Sequence, residues 1–135
     1  MKKTIISGLV AGVIILIFSV LGLYLIIWLF PNIALQYYDP AFNEQKSRYM
    51  IYLIHPFIIS FALAWFWNRC KNILTGSFLT RGIEFGLIYM IIATIPNMWL
   101  IYSAISVSLP MIITWLIFGL IQGIIAGLVF EKMNP

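Results

Sequence analysis

Apolar residues run almost unbroken through four stretches of the chain: Thr4 to Phe30, Tyr49 to Trp67, Ile83 to Tyr102 and Leu109 to Phe130. Each is close to the ~20 residues that a helix needs to cross hydrocarbon. Barrel strands would instead alternate in polarity over about 10 residues. The pattern therefore predicts an all-α integral membrane protein, a four-helix transmembrane bundle forming one domain over residues 1–135. Its helices are expected at about 4–30, 49–67, 83–102 and 109–130, with a long loop at 31–48 and a second at 68–82. Pro31 should stop the first helix, because the ring removes a donor and crowds the preceding turn. Pro110 is tolerated in the first turn of the fourth, behind Ser108 as N-cap. Lys2 and Lys3 precede an apolar run too long for a signal peptide and without an Ala-x-Ala site, so the first helix reads as an uncleaved anchor.

Composition agrees. Hydrophobic residues make up 63% of the chain and charged ones only 9%, with a mean hydropathy of +1.04. A soluble domain carries about 25% charged residues, so this surface suits lipid rather than water. A lone cysteine, Cys70, excludes internal disulfides and cysteine-based metal clusters, and a lone histidine, His55, excludes an ordinary zinc site. No cofactor is expected. Cys70 lies between Arg69 and Lys71, but the sequence offers no nucleophile–base–acid set around it. The pI near 9.4 does not signal nucleic acid, since the bases are scattered beside apolar spans.

Those bases set an orientation. Lys2, Lys3, Arg69, Lys71, Arg81 and Lys132 share one side, against Lys46 and Arg48 on the other. By the positive-inside rule both termini and the loop at 68–82 are cytoplasmic, in a cell inner membrane. Residues 31–48 and 103–108 then lie outside. The expected partners are the lipid bilayer and, through helix faces, a second copy or a larger membrane protein.

Helices in lipid associate through small residues that allow close approach. Gly8, Gly12, Ser19 and Gly22 share a stripe of the first helix; Gly82, Gly86, Ala93 and Asn97 share one on the third. Gly119, Gly123 and Gly127 form overlapping small-xxx-small units on the fourth, beside Gln122, which suits a bond to another helix. Most of these glycines fall in the cytoplasmic half, whereas bulky and polar groups populate the outer half. The expectation is a bundle closed below and propped apart above, with an outward-facing recess.

The polar groups of that recess are few. His55 and Asn97 reach similar depth on consecutive helices, and each adjoins a proline, Pro56 or Pro96. A proline frees a helix carbonyl. Tyr24, Tyr52 and Thr94 would add hydroxyls, and Asp39 is the acid placed to fold over the opening. Intramembrane ionisable groups mark functional sites by default, and histidine titrates near neutrality. The alternative is a neutral His55 bonded between helices as structural glue. Glu84 is placed to pair with Arg81 one turn away. The functional expectation is a small membrane-embedded binding or transport component. The alternative is a non-catalytic structural or accessory subunit.

The segments Gly82-Ile83-Glu84-Phe85-Gly86, Ile95-Pro96-Asn97 and Thr114-Trp115-Leu116-Ile117, with the Gly119/Gly123/Gly127 ladder, resemble the second hairpin of small four-span bacterial inner-membrane proteins of unknown function. The resemblance covers about 50 residues. It implies a compact four-helix membrane bundle and carries no catalytic residue to this chain. The inverted repeat common in transporters is absent from the sequence.

Overall fold

The computed structural model describes residues 2–38 and 48–135. Four long helical segments are apolar enough to span a membrane: Lys2–Leu29, Met50–Cys70, Phe78–Ala104 and Leu109–Met133. In chain order the elements are α1 (Lys2–Leu29), α2 (Pro31–Leu35), a 3-10 turn (Gln36–Tyr38), α3 (Arg48–Cys70), α4 (Phe78–Tyr89), a π turn (Met90–Thr94), α5 (Ile95–Ala104) and α6 (Leu109–Met133). The third span is thus two helices joined by the π turn.

Local sequence explains most boundaries. Pro31 falls just after α1 and becomes the first residue of α2, where a missing N–H does no harm. Ser108 caps α6, its hydroxyl accepting from the Met111 N–H at 3.4 Å. The third span begins at Phe78, ahead of the continuous apolar run from Ile83, because Ser77 accepts from the Thr80 N–H at 3.3 Å. Gly76, at φ +107°, makes the preceding turn. An L side chain there would be strained, and glycine is not. α3 runs unbroken through Pro56. Pro96 is different: the helix before it widens so that the Ile95 N–H bonds the Met90 carbonyl, five residues back. A proline cannot bond the carbonyl four residues earlier and its ring collides with it. A wide turn relieves that collision.

Glycine faces set the packing. A Cβ on Gly8 would meet Phe61 and Ala64, and one on Gly12 would meet Phe57 and Ser60, so α1 and α3 lie antiparallel. Gly82 meets Leu128, Gly86 meets Ile124 and Gly119 meets Thr94, which runs the third span antiparallel to α6. At Gly86 a Cβ would lie 2.7 Å from the Ile124 backbone nitrogen. α6 also crosses α1, where Gln122 Nε2 donates to Ser19 Oγ at 3.1 Å and Gly22 seats Phe118. α6 is therefore the helix on which α1, α3 and α4 all pack.

The core lies toward one end. Trp67, Phe85 and Phe130 are each 0% exposed, together with Ala11, Ile15 and Ala126. This is the end that carries Lys2, Lys3, Arg69, Lys71, Arg81 and Lys132, here the basic end. Toward the far end burial thins: Met50, Ile51, Tyr52 and Ile54 of α3 are exposed, and α5 buries none of its residues.

Candidate membrane-embedded site

The floor of the bundle is an aromatic cluster. The Trp67 and Phe85 rings meet edge-on at 5.1 Å, Phe85 and Phe130 edge-on at 6.0 Å, and Phe66 tilts against Phe85 at 5.9 Å. Edge-to-face geometry sets the positive rim of one ring against the negative face of the next. The cluster comes from α3, α4 and α6, and joins α3 to α4 through side chains alone.

Around it sits a polar knot. The Trp67 indole donates to the Asn134 carbonyl at 2.9 Å. Lys71 Nζ reaches the Asn134 carbonyl, the Asn134 side chain and the Pro135 carbonyl at 3.3, 3.2 and 2.7 Å. Asn134 donates to Asn68 at 2.7 Å, and Asn68 donates to Thr4 of α1. Arg81 pairs with Glu131 at 2.5 Å and donates to the Lys71 carbonyl at 2.7 Å. The sequence pairs Arg81 with Glu84 by spacing; the structure pairs it with Glu131, because the α4–α6 contact brings the two ends together. Every span contributes to this knot. Cys70 is buried beneath it.

The far half is built differently. His55 stands eleven residues from Phe66, about three turns, and so on the same face of α3. That face packs on Phe85 at the basic end. Asn97 stands twelve residues from Phe85. The π turn absorbs one of these and returns Asn97 to nearly the Phe85 face. Both polar groups thus lie roughly 16–18 Å above the Phe66–Phe85 contact, at matching height. Both are exposed. Among the described residues neither side chain is hydrogen-bonded, and α3 and α5 make no extensive contact.

The remaining candidates divide. Thr94 is 7% exposed and packs against Gly119. Its hydroxyl oxygen is buried near the Tyr89 hydroxyl without making a regular hydrogen bond. Tyr52 is half exposed on the His55 side of α3. Tyr24 faces away, lining a shallow apolar groove of about 470 Å³ on α1 with Phe18, Leu21, Gly22, Leu25 and Trp28. Asp39 lies outside the described residues.

One far-end contact had no sequence signal. α2 and the 3-10 turn fold back so that the Trp115 indole donates to the Tyr37 hydroxyl at 2.6 Å. Burial pushes the Tyr37 phenol above its usual value, partly offset by the bond from Trp115. Among the described residues no group of three or more metal-ligating side chains comes together.

No protein-family model matches the chain, and neither a curated protein nor a solved structure is significantly similar to it. The class that fold and composition define is a small multi-pass membrane protein of four packed apolar helices.

Proposed function

We propose that this chain is a membrane-embedded binding subunit that captures a hydrogen-bonding partner at the level of His55 and Asn97. The observation that carries the reading is the pair itself: two polar side chains, exposed and unbonded, at one height above a closed aromatic floor. Hydrocarbon offers such groups no hydrogen bonds, and leaving an amide unpaired there costs several kcal/mol. A polar face of this kind is stable only when covered or watered. The accessory-subunit reading fits the same geometry, since it needs a face and no chemistry.

His55→Ala and Asn97→Ala leave the floor and the knot intact, so both variants should fold. Native mass spectrometry from mild detergent should then show loss of the species bound to the parent protein. Unchanged binding in both variants would sink the reading.

A second reading, an outward recess for a small polar solute, is favoured by the buried and unpartnered Thr94 hydroxyl near the same level. In orientation, the charge asymmetry supports placing the basic end in the cytoplasm of an inner membrane, with residues 31–48 outside. Gln36→Cys in a Cys70→Ser chain should react with an impermeant maleimide in intact cells. Labelling only after lysis would reverse the orientation.

A further inference from the structure

We infer that the partner is a second copy of this chain, held by reciprocal bonds between His55 of each protomer and Asn97 of the other. The inference rests on the binding reading above and names its occupant. A two-fold axis along the membrane normal keeps every residue at its own height. His55 can therefore meet only groups of its own level, and among the described residues of the third span the polar side chain there that is both exposed and unbonded is Asn97, Thr94 being buried. The geometry is self-complementary, as an isologous interface requires: residue i meets j, and j meets i. The chemistry matches as well. A neutral imidazole has one donor and one acceptor, and an amide has both, so each pair bonds without an ion.

The approach is open. Ala62 lies two turns from His55 on the same face of α3, and Ala93 one turn from Asn97; both are exposed. Small side chains there let a neighbouring helix come close. Within one protomer the bond is not made among the described residues, where both side chains are exposed and α5 buries nothing.

The test uses the full chain in a Cys70→Ser background. His55→Cys and Asn97→Cys are placed on separately tagged copies, co-expressed and treated in the membrane with a short bis-maleimide. A cross-link joining the two tags is expected, because a bonded imidazole–amide pair holds its Cα atoms beyond disulfide reach but within that of the longer linker. Ile83→Cys, exposed near the basic end, should give none. In nanodiscs, His55→Ala or Asn97→Ala should raise the dimer dissociation constant about tenfold. The exchange His55→Asn with Asn97→His should restore it, which a merely structural role would not do. The absence of a cross-link between the two tags, equal cross-linking at Ile83→Cys, or a monomer of the parent protein would overturn the inference. A monomer that still binds another species through His55 would end the dimer and leave the binding reading standing. Alanine variants without any binding phenotype would end both.

Discussion

At Gly86 the backbone of α6 passes so close that no side chain fits, with the Ile124 nitrogen 2.7 Å from where a Cβ would stand. Gly8 differs in kind, because its nearest obstacle is the Phe61 ring at 2.9 Å, and a ring can turn aside. Gly86→Ala should therefore destabilise the bundle by about 2 kcal/mol or more, the usual scale of overpacking, and Gly8→Ala by less than half of that. Equilibrium unfolding in mixed micelles checks the order; equal losses would show that the α4–α6 approach relaxes easily. Glycine spacing was readable because close approach is recorded in the residue itself. The partner of Arg81 was not. Glu84 is its neighbour by helical arithmetic, whereas Glu131 reaches it only after two helices have packed. Asn134 and Tyr37 were missed for the same reason: their value lies in what a distant segment brings to them.

Among elements, the third span departs most from its sequence outline. Two prolines sit inside apolar stretches, yet α3 continues through Pro56 while a π turn forms before Pro96. Sequence marks where a carbonyl is freed, but not whether the backbone answers by bending or by widening. The distinction matters, because the extra residue turns Asn97 through about 100°. Pro96→Ala restores the missing donor and should let the turn relax to an α-helix. A spin label on Asn97→Cys should then change its lipid accessibility in power-saturation measurements. An unchanged profile would mean that Thr94 against Gly119, rather than the proline, holds the wide turn. Spans and caps were legible because hydropathy and Ser77 or Ser108 are local signals. The thin burial of α5 and of the far end of α3 was legible only as a trend of side-chain size.

Over the whole molecule, polar bonds fasten all four spans at the basic end, whereas at the far end α3 and α5 are thinly buried. Arg81 and Glu131 are central to the fastening, with side chains only 18% and 12% exposed. Removing one member of a buried pair leaves the other charge unpaired, at about 3–5 kcal/mol. The pair is only partly buried and Arg81 keeps its bond to the Lys71 carbonyl, so Glu131→Ala should cost less, about 1.5–2 kcal/mol, and Arg81→Met combined with Glu131→Leu should recover most of it. A double-mutant cycle by detergent unfolding measures the difference; simple additivity would show that the pair is decorative. The four-span architecture itself was legible, since hydrocarbon thickness dictates the length of an apolar run. How the rods arrange around one another was not, because that depends on which faces meet.

That arrangement also bears on biogenesis. α6 is the scaffold for α1 and α4, and it is synthesised after both. While the ribosome is still translating it, the first hairpin can already close through Gly8 and Gly12, but the third span stands in the bilayer with its glycine face empty. Until the fourth span is inserted, Gly82 and Gly86 have no helix to receive, so the second hairpin can close only at the last step of synthesis.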